Sequence, residues 1–167
     1  YALDSLDELA EEVIGRSEKS IRASIAKAPA GVYRSEGVIE QTEGAPQVRI
    51  RCAVTIAGSD ITIDLTGSSP QVDWGGNVVY NFTYAYVHMA VKSIFDPEIP
   101  NNDGIAAPIR LIAPEGTVVN CRHPAAVAAR MQIGHFITEV IYRALAAALP
   151  GRVVAAGGGT PATMQMF

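Results

Sequence analysis

The sequence predicts an α+β fold, with β-hairpins packed against two or three long amphipathic helices. Three observations predict it. Stretches near Val48–Leu65 alternate apolar and polar residues with the period of a half-buried strand. Three other stretches repeat apolar residues at helical spacing. No regular strand–helix–strand alternation links them, as a doubly wound parallel sheet would require. The chain of 167 residues is long enough for one domain with a sizeable core.

The first helix is expected over Ser5–Ala26, where Leu6, Leu9, Val13, Ile14, Ile21 and Ile25 form one apolar stripe. Ser5 and Glu8 have the spacing of a capping box, in which side chains satisfy free backbone N–H groups. Glu18 and Arg22 stand four apart and can pair on one face. Pro29 and Gly31 stop the helix, and Gly31–Ile39 reads as a strand. A hairpin follows: Val48, Ile50, Cys52, Val54 and Ile56 alternate with polar neighbours, Gly58-Ser59-Asp60 turns, and Ile61, Ile63 and Leu65 return. Arg49 and Arg51 then share the face opposite the core, a solvated polar face before it is an anion site.

A second helix is expected from about Phe82 to Phe95, with Tyr84, Val87, His88, Val91 and Ile94 as its stripe and Pro97 as its stop. Ile109–Ala113 and Thr117–Asn120 read as a second hairpin about Pro114-Glu115-Gly116. A third helix is expected from about Ala125 to Leu149. It opens at His123-Pro124, because proline is tolerated where a helical N–H is unpaired anyway. Val127, Met131, Ile133 or Gly134, Ile137, Ile141, Leu145 and Leu149 line one side of it.

Composition excludes several function classes. With 18% charged residues, a net charge of −4 and a pI near 5.3, the chain has no clustered basic surface for nucleic acid or anionic membrane. No apolar run approaches the ~20 residues of a membrane helix. The acidic start is unlike a signal peptide. Cys52 and Cys121 are isolated and read as buried, unreactive thiols, with a reducing cytoplasm as the default location.

The most constrained stretch is Phe95–Arg130, with five prolines and the adjacent pair Asn101-Asn102. Proline fixes φ and asparagine hydrogen-bonds local backbone, so this segment holds a defined irregular path, either a well-ordered connector or a place for functional groups. Its polar residues belong to a wider set: Asp73, Asn77, Asn101, Asn102, Asp103, Arg130 and Gln132. Asparagine and arginine suit a cyclic amide or a carboxylate, arginine in bidentate fashion. Arg130 follows an apolar turn and needs a partner if buried, either a carboxylate of the fold or a ligand. Convergence of Asn101, Asn102 and Arg130 on one site is therefore expected. His88, His123 and His135 lack metal-ligand spacing. His88 and His135 read as packed or hydrogen-bonded before proton-transfer groups, and His123 as a residue flanking the last helix. Ser68 and Ser69 sit in a turn without a nucleophile elbow. Gly157-Gly158-Gly159-Thr160 has the composition of an anion loop but lacks the Gly-Lys-Thr ending of a phosphate loop.

Four blocks carry a resemblance. They are Pro29-Ala30-Gly31-Val32-Tyr33 after the Glu18–Arg22 helix, Asp64–Gln71 followed by Asn77, Asp96–Gly104, and Ile112–Gly116 with Asn120 and Pro124–Ala128. In this order they resemble the B-type subunit of the hydantoinase/oxoprolinase family, over most of the chain from about Glu18. The family's members are longer chains. The resemblance thus implies that residues 1–167 form a single domain or an internal fragment of a larger subunit. It implies an ATP-dependent hydrolase of cyclic amides, with ATP and Mg held by a partner A-type subunit in a hetero-oligomer and neither on this chain. Within that reading the residues themselves make Asn77, Asn101, Asn102, Arg130 and His135 the expected substrate-binding set, with the catalytic residues unknown.

Two runs depart from the family pattern. Arg130-Met131-Gln132-Ile133-Gly134-His135 is less polar than its counterpart in hydantoinases, and Gly157–Pro161 replaces a run with serine and asparagines. The same superfamily includes ATP-dependent acetone and acetophenone carboxylases, and a less polar pocket with His135 suits a ketone. A role as part of a ketone carboxylase is the second reading. The third is a non-catalytic scaffold for the A-type subunit, which apolar helix faces with little charge would fit.

Overall fold

Ser5 starts the first helix as the capping spacing predicts: its hydroxyl accepts the Glu8 N–H at 3.2 Å. The computed structural model describes residues 5–39 and 47–153. The Gly157–Pro161 run lies outside the described residues. Helix α1 (Leu6–Ile25) buries Ser17, Ile21, Ser24 and Ile25, all in its second half. Leu6, Leu9 and Val13 are exposed, which corrects the expectation of one packed stripe along the whole helix. Among the described residues, α1 packs chiefly on the short helix α3 (Asp103–Ala106). A Cβ on Gly104 would lie 2.1 Å from the Ile14 carbonyl oxygen, so that contact begins near Ile14. The Arg22 guanidinium joins Glu18 and Asp60, each at 2.7 Å, tying α1 to the sheet. Both acids raise the arginine pKa, Asp60 most. At this exposure such pairs add about 0.2–1 kcal/mol.

The sheet contains β1 (Gly31–Ile39), β2 (Val48–Ala57), β3 (Asp60–Asp64) and β4 (Ile109–Ile112), in that spatial order. The first two pairings are antiparallel and the third is parallel. Gly58, with φ 61°, takes the first position of the two-residue turn between β2 and β3, where a left-handed residue suits the twist of a hairpin. Val48, Ile50, Cys52, Val54 and Ile56 face inward with Ile61 and Ile63, as the alternation predicts. On the outer face Glu36 pairs with Arg49 and Arg51, so the two arginines do form a partly solvated polar face.

The inner face is covered by helices. Helix α4 (Arg130–Ala146) packs on β1 and β2 and against α2 (Tyr80–Phe95). Ile133, Ile137, Val140, Ile141 and Leu145 of α4 are fully buried. Burial of each such side chain stabilises the fold by about 1.5–3 kcal/mol. This is α+β architecture.

Three expected elements differ. The second hairpin does not form: only β4 is a strand, and it pairs with β3. Val118 and Val119 are buried in a tight turn whose backbone bonds to Ser69 and Val78, across the chain. The last helix starts at Arg130, after a series of turns, and ends at Ala146. The helix faces are also rotated from expectation. Thr83 and Ala90 join the buried side of α2, whereas Tyr84 and Met131 are exposed. Local periodicity marks a helix well and places its face less well, because neighbouring elements decide which side is covered.

Candidate functional site

Asn77 is wholly buried, with every polar atom of its amide engaged by backbone. Its Oδ1 accepts from the Val72 N–H at 2.8 Å. Its Nδ2 donates to the carbonyls of Val72 at 2.9 Å, Trp74 at 3.0 Å and Ala126 at 2.9 Å. The Ala129 N–H donates to Gly75 O at 2.8 Å beside it. The loop from Val72 to Asn77 thus holds the segment that leads into α4. Asn77 presents no polar atom to a ligand.

Arg130 opens α4 just beyond this clamp and is exposed, so it carries no buried charge. Its guanidinium carbon lies 5.6 Å above the Phe82 ring, and Nη1 reaches the Val127 carbonyl at 3.4 Å. No carboxylate pairs with it among the described residues. Phe82 and Tyr86 of α2 stack at 4.9 Å, and the edge of Tyr86 meets His135 with centroids 5.9 Å apart. Gly134 allows this packing, since a Cβ there would lie 2.6 Å from Tyr86 Cζ. Arg130, Met131 and His135 therefore share one aromatic surface, an arrangement that offers a planar cation and an imidazole beside apolar rings.

Asn101 and Asn102 lie elsewhere. Asn102 caps α3: its Oδ1 accepts the Gly104 N–H at 3.0 Å, and its Nδ2 donates to Ser17 Oγ at 2.8 Å. Asn101 is exposed and has no hydrogen-bond partner among the described residues. Both line a groove of about 410 Å³ between α2 and α3. It runs along the later turns of α2, past His88, Met89 and Lys92, whereas Arg130 sits at Phe82 in the first turns. By helical rise, Phe82 and Met89 are roughly 10 Å apart along the axis. The structure thus brings Arg130 to His135 and Asn101 to Asn102, but separates the two pairs.

His88, which the sequence presents as a packing residue, stands in the groove wall. Its Nδ1 lies 2.7 Å from the Tyr84 carbonyl, while Nε2 is buried with no partner among the described residues. Burial pushes its pKa down, partly offset by the Tyr84 hydrogen bond. The spacing Tyr84–His88–Lys92, every fourth residue, is the sequence signal for one helix face. Burial pushes the Cys52 thiol up to about 12, which makes it a poor nucleophile. No cluster of three or more His, Cys, Asp or Glu side chains with metal-holding geometry occurs among the described residues. No described helix is long and apolar enough to cross a membrane.

Comparison with known proteins gives a consistent picture. The chain is 35% identical, over 95% of its length, to a Pseudomonas protein named as the putative B-type subunit of a D-/L-hydantoinase. It is 37% identical, over 68% of its length, to an uncharacterised protein of Methanocaldococcus jannaschii. It spans 29% and 20% of those two relatives. Its fold is shared with an ATP-dependent caprolactamase of Pseudomonas jessenii, at TM-score 0.82 and 22% identity, over 91% of this chain and 27% of that one. An acetone carboxylase shares it too, at TM-score 0.74 and 20% identity, over 89% of this chain and 22% of that one. The family model described as hydantoinase B/oxoprolinase matches residues 1–167, and the chain belongs to that family.

Proposed function

We propose that this chain forms part of the B-type subunit of an ATP-dependent cyclic-amide hydrolase, of the hydantoinase or 5-oxoprolinase kind. The observation that carries the reading is the 35% identity, over nearly the whole chain, to the Pseudomonas protein named for a hydantoinase. ATP and Mg belong to an A-type partner subunit, and the assembly works in the cytoplasm. Bound to that partner, ATP would supply a phosphoryl group to the amide oxygen, activating the carbonyl carbon so that water adds and the C–N bond breaks.

In this reading the residues of this chain that meet substrate are Arg130 and His135. Arg130 has donors to spare for a carbonyl or carboxylate, since it forms no ion pair among the described residues. Phe82, Tyr86 and Met131 supply an apolar bed for the ring. Asn77 acts behind them by fixing the turn before Arg130. The exposed apolar character of this surface also fits a ketone, which keeps carboxylation as the second reading.

The test is ATP turnover by the full-length protein with its partner subunit, on hydantoins, 5-oxoproline and ketones, each with and without bicarbonate. Ring opening of a cyclic amide without bicarbonate is expected. ATP consumption only with a ketone and bicarbonate would replace the hydrolase reading by the carboxylase one.

A further inference from the structure

We propose that the groove between α2 and α3 binds a zwitterionic amino acid with an apolar side chain, held between His88 and Asp103 at its ammonium and by Lys92 and Asn101 at its carboxylate. The site is separate from the Arg130–His135 surface and does not depend on the activity proposed above.

The argument starts at His88. The Tyr84 carbonyl can only accept, so the 2.7 Å contact places the proton on Nδ1 and leaves Nε2 as a lone pair. That acceptor is buried and unmatched among the described residues. Buried acceptors are normally paired, so an unmatched one on a groove wall points to a missing donor. Binding through Nε2 requires the side chains that cover it to turn aside; Met89 and Lys92, which line the same groove, are unbranched and can do so.

The rest of the lining completes a two-ended ligand. Lys92 Nζ donates one bond to the Pro97 carbonyl at 2.6 Å and joins no carboxylate among the described residues. Its remaining donors are open. Asn101 contributes a side-chain amide that is exposed and unengaged among the described residues. Asp103, on the opposite wall, is an exposed carboxylate. One cation, one anion, one neutral acceptor and one amide around about 410 Å³ match the charges of an amino acid and of neither a simple acid nor a simple amine. Tyr84, Ala85, Ile105 and Ala106 offer apolar surface for its side chain.

The experiment is isothermal titration of the full-length protein with leucine, 4-methylpentanoate (no ammonium) and isoamylamine (no carboxylate). Leucine is expected to bind, and the other two to bind at least about tenfold more weakly. Asn101→Ala lies on the surface, and Lys92→Met removes the bond to the Pro97 carbonyl, so melting curves of both variants are run beside the titrations. Each is expected to weaken leucine at least about threefold, and His88→Phe to abolish binding. Failure of leucine to bind at millimolar concentration would overturn the proposal. So would equal binding of all three probes, or leucine binding unchanged in Lys92→Met. None of these results bears on turnover of cyclic amides, so the two proposals fail separately.

Discussion

The side chain of Asn77 donates to the carbonyl of Ala126, 49 residues further along the chain, at 2.9 Å. This bond joins the loop after β3 to the turn before α4. It also occupies a carbonyl in the stretch where local sequence favours helix. The contact therefore decides where α4 starts, and with it where Arg130 stands.

Replacing Asn77 by alanine would leave a buried N–H and three carbonyls without their side-chain partner. Each net hydrogen bond is worth about 0.5–1.5 kcal/mol, so a loss of about 2–4 kcal/mol is expected. Urea unfolding of the wild type and the variant measures it. A loss within about 0.5 kcal/mol would show that the clamp is not what holds the turn.

Two glycines in helices make opposite predictions. At Gly134 a Cβ meets Tyr86 Cζ at 2.6 Å and Phe82 Cε1 at 2.9 Å, so Gly134→Ala forces the aromatic bed apart at a cost of about 1–3 kcal/mol. At Gly15 in α1 a Cβ meets nothing within 4 Å, and Gly15→Ala stabilises by about 0.5–1 kcal/mol through helix propensity. Thermal melts of the pair check both signs at once. Equal shifts in the same direction would contradict the packing described for α4 on α2.

What is legible in the sequence follows from the range of the interactions. The cap at Ser5, the Glu18–Arg22 pair and the β2–β3 hairpin are local, and each forms as its spacing predicts. Helix α4 starts later than its pattern suggests because Ala125–Ala129 are good helix formers whose backbone is claimed by Asn77 and Gly75. Thr117–Asn120 carries a strand's residues but bonds to the loop after β3, a partner that no local pattern reveals. The site is legible in the same uneven way. Arg130 and His135 share a surface through Phe82 and Tyr86, contacts between helices that spacing within one helix cannot show. His88 is hidden in the sequence because its spacing shows a helix face and not that Nε2 is buried without a partner among the described residues.

The pH dependence of stability should carry the signature of His88. Burial lowers its pKa in the folded protein from the ordinary 6.5, so the native ring stays neutral while the unfolded one takes up a proton. The unfolded state then binds more protons, and stability rises with pH in that window. The contribution is whole above 6.5 and is lost as pH falls through 6.5 toward the lower folded value. The charged groups lining the groove with it are Lys92 of α2 and Asp103 of α3. Denaturant unfolding from about pH 8 to about pH 5 should show a steeper acid loss in wild type than in His88→Phe. Parallel curves would remove His88 as the cause.

On the reading proposed above, substitutions at Arg130 and Asn102 should separate substrate contact from support. Asn102→Ala removes the cap of α3 and the bond to Ser17, so stability should fall by about 1 kcal/mol. Turnover by the folded enzyme should change little. Arg130→Ala removes an exposed cation over Phe82, worth about 0.5–1 kcal/mol at most to the fold. Turnover on a cyclic amide should nonetheless fall about 10–100-fold, the effect of losing one charged hydrogen bond in the transition state. Arg130→Lys keeps the charge and loses the planar fork, so it should recover only part of the rate if the contact is bidentate. Steady-state rates with the partner subunit, beside melting curves of the same samples, decide the matter. Full activity in Arg130→Ala would take this surface out of the reaction.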